Sequence, residues 1–285
     1  MSHLGIFESI EDLVFVTNTH GNIVETNRAL STTLGTNQPL QPVTDIWPEI
    51  ADIWESSLAA ANSGKQLRVD VSAMSVDGRE LIFDVRTFAI DQTDSSERLI
   101  VAVARDLTAE RKNAKLLEIQ ATTDGLTSAY NKTQLAILLS QSISSAQRRK
   151  VTGCFLFIDV DKLKTINDDL GHDEGDRVLR EISKLLQETL RDSDIVGRLG
   201  GDEFRVILTD ASKESGAMKA HQIANVLNSS ITIDDSDNAT GLEVSIGLAV
   251  FPESGDYAKD VIKRADTAMY RAKKHPGSSV EVWER

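Results

Sequence analysis

Three carboxylates of this sequence occupy positions at which a bound cation would stabilise them. Asp159 ends the apolar run FLFID, and Asp202 and Glu203 follow the pair Gly200 and Gly201 in a predicted hairpin. A buried lone carboxylate is costly unless a cation compensates it, and a Gly-Gly turn lets a ligand approach the backbone closely. If the two strands are neighbours, these carboxylates form a set of hard oxygen ligands that suits Mg²⁺. Taken alone, the second pair is also typical of an ordinary exposed hairpin.

Further polar side chains follow the first carboxylate in the segment KTINDDLGHDEGD. Lys164 is a mobile positive charge of the kind that neutralises phosphate. Asn167 and Asp176 are suited to hydrogen bonds with the edge of a base, and His172 lies between them. The alternative is that these are solvated loop residues or helix caps, and this alternative has weight for Asp176, which stands at the predicted start of a helix.

The second half of the chain is predicted to form an α+β domain that positions these residues. A continuous apolar run predicts a buried strand that delivers Asp159 to its carboxyl end. Apolar residues at helical spacing predict amphipathic helices, and β-prone runs around the glycine pair predict the hairpin. The predicted elements are strands at 154–161 and 241–251, a hairpin at 194–208, and helices at 176–191 and 257–275.

The first half is also predicted to be α+β, with short helices broken by prolines. Five strand-like runs within about 100 residues indicate a compact antiparallel sheet with one face covered. These runs are 12–18, 22–27, 66–74, 80–90 and 98–107. Trp47 and Trp54 either line a pocket or belong to the core, and the core is the simpler interpretation.

Residues 108–123 lack Gly and Pro and predict a helical linker. Leu107, Ala114, Leu117 and Ala121 recur at helical intervals and form a narrow apolar seam. This seam predicts either pairing with a second copy of the helix or packing of one helix against a domain.

Composition excludes several functional classes. The net charge of −13, most of which falls in residues 1–110, argues against a protein that coats nucleic acid or anionic lipid. A single cysteine, Cys154, excludes an intrachain disulfide and a cysteine-based zinc cluster. No leader or long apolar segment is evident, so we expect a soluble, cytoplasmic protein without a membrane segment in this chain.

The combined motifs of the second half resemble diguanylate cyclases. Residues 200–204 are the GGDEF motif itself, and IDVDKLKTINDDLGHDEGDRVL resembles the family pattern D-x-D-x-F-K-x-I-N-D-x-x-G-H-x-x-G-D-x-x-L. The similarity begins near ATTDGLTSAYNK and continues through VSIGLAVFP to KRADTAMYRAKK. Matching blocks in the family's order over nearly the whole second half are specific, whereas the five-letter motif alone is not.

The resemblance implies condensation of two GTP molecules into cyclic di-GMP with release of two pyrophosphates. It implies that Asp159, Asp202 and the backbone carbonyl of Val160 bind Mg²⁺ or Mn²⁺. Lys164 resembles the lysine that stabilises the transition state, and Asp202 or Glu203 would assist deprotonation of the attacking 3′-hydroxyl. A symmetric product made from single-nucleotide sites requires two facing chains, so we expect a homodimer.

The same resemblance implies where substrate and product bind. Asn167 and Asp176 correspond to the guanine-binding pair, and His172 lies where the family contacts substrate. Arg191 and Asp194 form an R-x-x-D pair at the family's spacing, which implies an inhibitory site for cyclic di-GMP; the alternative is a surface pair that caps a helix end. The remaining residues implied to lie along the nucleotide are Lys162, Leu163, Gly200, Gly201 and Lys273.

The sequence departs from the family pattern at a few positions. Leu163 replaces a usual aromatic residue, and Lys132 replaces a common arginine. The arginine that would join Lys273 at the phosphates is missing, with Gly277 near its place. We expect this departure to lower GTP affinity without removing a metal ligand.

The first half resembles a PAS sensor domain. The opening IEDLVFVTNTHGNIVETNRAL, the three later strands and the exit VARDLTAERK carry this resemblance, and the exit is similar to the joint D-[IL]-T-E-R-K. The ligand of such a domain is unknown, although the position of Cys154 excludes a flavin–cysteine adduct there. The expected organisation is a PAS-like domain at 1–107, a signalling helix at 108–123 and a GGDEF domain at 124–285.

The expected fold class is α+β, with an antiparallel sensor sheet followed by a palm-like α/β sandwich whose central sheet is mostly antiparallel. The leading function is a regulated diguanylate cyclase that depends on Mg²⁺. The alternative is a catalytically silent GGDEF domain that acts as a receptor for GTP or cyclic di-GMP.

Overall fold

The computed structural model describes residues 3–35, 40–91, 98–235, 238–252 and 257–284. The chain divides into two compact units, Met1–Leu116 and Leu117–Arg285. Within the part of the chain that the structure describes, no helix has both the length and the apolar character needed to cross a bilayer.

The first unit is an antiparallel sheet with short helices on one face. Its five strands lie in the order β2-β1-β5-β4-β3, so the last three strands of the unit complete a sheet begun by its first hairpin. The elements are α1 (His3–Glu8), β1 (Leu13–Asn18), β2 (Ile23–Thr26), α2 (Arg28–Leu34), α3 (Val43–Ile46), a short 3-10 helix (Pro48–Ile50), α4 (Ala51–Asn62), β3 (Leu67–Met74), β4 (Glu80–Asp91) and β5 (Arg98–Asp106). The five predicted strands are confirmed to within two residues at each end.

The core of this unit contains two tryptophans. Trp47 and Trp54 are both buried, and Trp47 packs edge-on against Phe83 with ring centroids 5.2 Å apart. The Trp47 indole also donates a hydrogen bond to the carbonyl of Ser72 at 2.6 Å. Both tryptophans are therefore core residues, in agreement with the simpler of the two interpretations.

A long helix, α5 (Thr108–Thr122), leaves the sheet directly. The Thr108 hydroxyl accepts a hydrogen bond from the Ile82 amide at 2.9 Å, and the Asp106 carboxylate accepts one from the Thr108 amide at 2.8 Å. The second bond satisfies a backbone amide that a helix start otherwise leaves unpaired, and the first ties the start of the helix to β4. Leu117, a seam residue, is 65% exposed.

The second unit is a sheet sandwiched between two helix layers. Its five-stranded sheet has the order β12-β11-β6-β8-β7, in which β11 and β12 are parallel and the other neighbours are antiparallel. The elements are α6 (Lys132–Arg149), β6 (Gly153–Val160), α7 (Leu163–Leu170), α8 (His172–Thr189), β7 (Ile195–Gly200), β8 (Glu203–Leu208), α9 (Lys213–Ser230), β9 (Thr232–Asp235), β10 (Asn238–Gly241), β11 (Val244–Phe251), α10 (Ala258–Ala272) and β12 (Ser279–Val282). The expected mixed, mostly antiparallel α/β sheet is confirmed.

Alternate residues of the central strand β6 pack into the two helix layers. Leu156 and Ile158 belong to the core that contains α8 and α9, whereas Phe155 and Phe157 belong to the core that contains α6 and α10. This alternation follows from the two-residue period of a strand. It also places Asp159 on the side of the sheet that faces α10.

Helix α10 lies directly on β11 at Gly247. A Cβ atom at this position would stand 2.1 Å from the Ala265 carbonyl oxygen and 2.2 Å from the Met269 amide nitrogen. No side chain fits between the two backbones, so only glycine permits this approach. The contact sets the height of α10 above the sheet.

One predicted element starts at the wrong residue. The helix expected to begin at Asp176 begins at His172, with Gly171 as its N-cap residue. Asp176 therefore lies in the second turn of α8, and the interpretation of Asp176 as a helix cap is wrong. Gly171 has φ +90°, and this glycine conformation lets α8 start directly after α7 ends.

Candidate functional site

Strand β6 delivers Asp159 to the edge of the sheet as a buried carboxylate. Its side chain is 7% exposed, and the ammonium of Lys273 lies 2.7 Å from Oδ1. The contact is an ion pair rather than a well-angled hydrogen bond, because Oδ1 has no hydrogen-bond partner of good geometry. Burial raises the pKa of Asp159 to about 6, since Lys273 only partly offsets it and the nearby Asp202 and Asp161 add to it.

The GGDEF hairpin brings its own acids to the same edge. Glu203 is the cross-strand partner of Asp159, and the Val160 amide donates a hydrogen bond to the backbone carbonyl of Asp202 at 3.0 Å. The tip turns at Gly200 and Gly201, whose φ angles of +126° and +58° are unfavourable for other residues. The structure thus brings together the three acids that the sequence singled out.

This arrangement fits a hard divalent cation. Among the described residues, no three acidic, histidine or cysteine side chains converge as a complete metal cage. Mg²⁺ is normally held by one or two carboxylates, with phosphate oxygens and water completing its shell. A buried Asp159 oxygen that lacks a hydrogen-bond partner, beside Asp202 and the end of β6 at Val160, is a donor set of that kind.

Helices α7 and α8, which follow β6 in the chain, carry a second group of polar residues. Asn167 of α7 passes so close to Gly175 that a Cβ atom there would lie 1.9 Å from the asparagine Oδ1. Asp176 follows this glycine and carries a half-exposed carboxylate 3.6 Å from Arg180. Asn167 and Asp176, the two residues expected to bind the guanine edge, are therefore on adjoining helices, and Gly175 provides the space between them.

The segment between β6 and α7 turns sharply at Lys162. This residue adopts a left-handed conformation with φ +61°, and its ammonium lies 3.2 Å from a Glu243 carboxylate oxygen. Leu163 is buried, which explains why an apolar residue serves in place of an aromatic one. Lys164 and His172 are exposed, so both side chains are accessible to a ligand.

Lys273 is the basic residue that the end of α10 contributes to Asp159. The pKa of Lys273 is raised overall: burial lowers it, but Asp159, Asp202 and Asp161 outweigh that effect. Four residues later, Gly277 has φ +74° and carries no side chain. The expectation that an arginine of the family is missing near this position stays a prediction.

Arg191 and Asp194 lie at the other end of the β7–β8 hairpin from its glycine tip. Both oxygens of the Asp194 carboxylate accept backbone hydrogen bonds, from Arg191 at 3.2 Å and from Thr209 at 3.1 Å. The exposed Arg191 lines a surface pocket of about 390 Å³, together with Tyr130 and Gln187. The structure therefore separates this pair from the carboxylates and places it at a concave surface.

Sequence reasoning missed an arginine that supports the hairpin tip. Arg198 is buried, forms an ion pair with Asp124 at 2.9 Å and donates a hydrogen bond to the Gly201 carbonyl at 2.8 Å. The Asp124 carboxylate also accepts hydrogen bonds from the amide and hydroxyl of Thr127. The sequence did contain a signal for this residue, because Arg198 is a charged residue inside a strand-like run just before the glycine pair.

The second unit is similar to known proteins. The family profile of the diguanylate cyclase GGDEF domain matches residues 121–279. The probable diguanylate cyclase DgcC of Escherichia coli is 34% identical over 174 residues, which is 61% of this chain and 46% of DgcC. The diguanylate cyclase DosC of the same organism is 37% identical over 161 residues, which is 56% of this chain and 35% of DosC.

A solved structure gives the same match. The GGDEF domain of DgcB from Caulobacter crescentus, in complex with c-di-GMP, is 28% identical with a TM-score of 0.53. The match covers 58% of this chain and 94% of that domain. The chain spans less than half the length of the two curated relatives, so the comparison concerns the second unit.

Proposed function

Because this chain belongs to the diguanylate cyclase GGDEF family, we propose that it condenses two molecules of GTP into cyclic di-GMP. In each of two steps the 3′-hydroxyl oxygen of one nucleotide forms a bond to the α-phosphorus of the other. The bond from that phosphorus to pyrophosphate breaks, and the hydroxyl proton leaves to a base. Phosphoryl transfer of this kind depends mainly on positioning and charge neutralisation.

The observation that supports this proposal most is the buried carboxylate of Asp159 beside the GGDEF hairpin. Asp159 and Asp202, with the carbonyl of Val160, would hold Mg²⁺ or Mn²⁺. When bound, the metal would stabilise charge on the attacking and leaving oxygens. Glu203 faces the same edge, so Asp202 or Glu203 would accept or orient the proton of the 3′-hydroxyl.

The remaining side chains bind and orient the nucleotide. Asn167 and Asp176 would form hydrogen bonds with the guanine edge, and His172 would contact the same nucleotide. Lys164 is exposed and unbranched, so its ammonium can follow a phosphate. Lys273 would exchange its partner Asp159 for the phosphates once a metal compensates that carboxylate.

The symmetry of the product supports a homodimer as the active form. One chain offers one such site, whereas each product molecule joins two nucleotides, so two sites must face each other. On α5 the seam residues Ala114, Leu117 and Ala121 are exposed. Burial of this seam against a second copy of α5 would stabilise the pair.

Two modes of control accompany the proposed activity. The pocket beside Arg191 suits feedback binding of cyclic di-GMP, with the guanidinium on phosphate or guanine. Since Asp194 already accepts two backbone hydrogen bonds, its role there is partly structural. The antiparallel sheet of the first unit suits a PAS-like sensor at 1–107 that acts through the helix at 108–123 on the catalytic domain at 124–285.

The test is to incubate the purified chain with GTP and Mg²⁺ and to measure cyclic di-GMP by chromatography. We expect product from the wild type and none from Asp202→Ala, which lacks a metal ligand. A folded, dimeric wild type that binds GTP or cyclic di-GMP without forming product would instead identify a silent receptor. Arg191→Ala is expected to relieve product inhibition, and an unchanged inhibition constant would refute that assignment.

A further inference from the structure

Strand β8 buries an arginine directly after the GGDEF motif. The side chain of Arg205 is 11% exposed, and its Nε atom has no hydrogen-bond partner among the residues that the structure describes. A buried guanidinium with unsatisfied donors costs stability, because it loses water without full replacement. An apolar residue would pack more favourably at this position, so the charge itself calls for an explanation.

The neighbours of Arg205 hold its guanidinium in a fixed place. Phe157 of β6 is the cross-strand partner of Arg205. The Cζ atom of Arg205 lies 4.5 Å from the centre of the Phe157 ring. Stacking of a guanidinium on an aromatic face is favourable and restricts the long side chain. Asp266 of α10 is a more distant negative charge that also favours the cation.

The nearest carboxylate to this cation is Glu203, whose side chain is 39% exposed. A terminal nitrogen of Arg205 lies 3.8 Å from Glu203 Oε2. This separation is too long for a hydrogen bond, so the arginine attracts the carboxylate without occupying its lone pairs. The two side chains are two residues apart on one strand and therefore share a face with Asp159.

We propose that Arg205 is a positioning residue for Glu203, keeping its carboxylate at the sheet edge beside Asp159 and free to act on the reacting hydroxyl. A glutamate this exposed otherwise samples several rotamers, and a fixed cation below it restricts that freedom. The inference rests on the proposed cyclase activity and adds a residue to its machinery.

The test compares Arg205→Met and Arg205→Lys with the wild-type chain in steady-state assays of cyclic di-GMP formation. Arg205→Met keeps the packing on Phe157 and removes the charge, and we expect kcat to fall about ten- to hundredfold, as misplacement of a reacting group does. The KM for GTP should stay unchanged, because the arginine does not touch substrate. Arg205→Lys restores the charge and should recover most of kcat.

A double-mutant cycle with Glu203→Gln separates positioning from a structural role. If Arg205 acts through Glu203, Arg205→Met should cause no further loss in the Glu203→Gln background, measured in long incubations at high protein concentration. Equal losses in both backgrounds, or an unchanged kcat in Arg205→Met, would overturn the proposal. If Arg205→Met does not fold by circular dichroism, Arg205→Gln takes its place in the cycle. Absence of product from the wild type would instead refute the cyclase proposal on which this one rests.

Discussion

Each unit of the molecule buries an aspartate in its central sheet, and the two aspartates are compensated to different degrees. Asp84 of the first unit lies between Arg68 at 2.8 Å and Arg86 at 2.9 Å. Burial alone would raise its pKa, but the two arginines outweigh burial and hold the pKa below its usual 3.8. Asp159 of the second unit has one lysine, and its pKa is raised to about 6.

The difference separates a structural acid from one that is available to a ligand. Asp84 has two permanent cations and needs nothing more to remain ionised. Asp159 lacks part of its compensation, so a cation brought from solution would supply what the protein does not. Burial by itself therefore does not identify a candidate ligand carboxylate, whereas burial with incomplete compensation is the better indication.

The largest expected effect distinguishes the two aspartates by activity. Asp159→Asn should lower cyclic di-GMP formation by at least about a thousandfold, since loss of a metal ligand removes several kcal/mol of transition-state stabilisation. The matched variant Asp84→Asn should keep wild-type turnover. Chromatographic assays of both proteins at equal concentration test this, and an active Asp159→Asn enzyme would contradict the comparison.

The second effect is on stability and differs between the two sites. Asp84→Asn should lower the free energy of unfolding by about 1–2 kcal/mol, because it removes the shared partner of two partly exposed arginines. Asp159→Asn in metal-free buffer should not lower it, because an incompletely compensated buried charge is removed. Urea unfolding measures both changes. Tryptophan fluorescence reports mainly on Trp47 and Trp54 of the first unit, and circular dichroism reports on the whole chain.

A pH series tests whether the Asp84 contribution is electrostatic. A carboxyl whose folded pKa lies below its unfolded value of 3.8 stabilises the fold above that value and loses this contribution as pH falls through the folded pKa. The stability difference between wild type and Asp84→Asn should thus be constant near neutrality and shrink below pH 3.8. Urea titrations across this range provide the measurement. A difference independent of pH would assign the effect to packing.

The smallest effect concerns the arginines themselves. The side chains of Arg68 and Arg86 are 66% and 54% exposed, respectively. When either arginine is replaced, Asp84 keeps its ion pair with the other. Arg68→Ala or Arg86→Ala should therefore cost less than about 1 kcal/mol each, as exposed ion pairs do. The double variant should cost more than the sum of the single changes, because only then does Asp84 lose all compensation. Strict additivity in urea unfolding would contradict shared compensation.

Local pattern was enough to predict the elements that carry the site. The apolar run before Asp159 and the glycine pair before Asp202 specify a strand and a hairpin through composition alone. Helix α6 was not predicted from the sequence, although its buried residues Leu135, Leu139, Ile143 and Ala146 recur at helical spacing. The start of α8 escaped prediction because Gly171 forms no side-chain cap that a sequence could reveal.

Local sequence pattern could not predict which residues that are distant in the chain form contacts. The contact between Arg198 and Asp124 joins residues 74 positions apart, and the contact between Lys273 and Asp159 depends on how α10 lies over the sheet. Arginines are usually expected at the surface, so the burial of Arg198 and Arg205 contradicts the residue-type preference. Such exceptions depend on tertiary packing that composition does not describe.

The contact between α10 and Gly247 also bears on the position of Lys273. Lys273 lies one helical turn beyond Met269, whose amide rests against the strand at Gly247. A side chain at position 247 would meet the backbone of α10, so the helix and the strand would have to separate. We expect such a separation to disturb the ion pair in which the Lys273 ammonium lies 2.7 Å from Asp159, so this charge pair depends on a residue that has no functional group of its own.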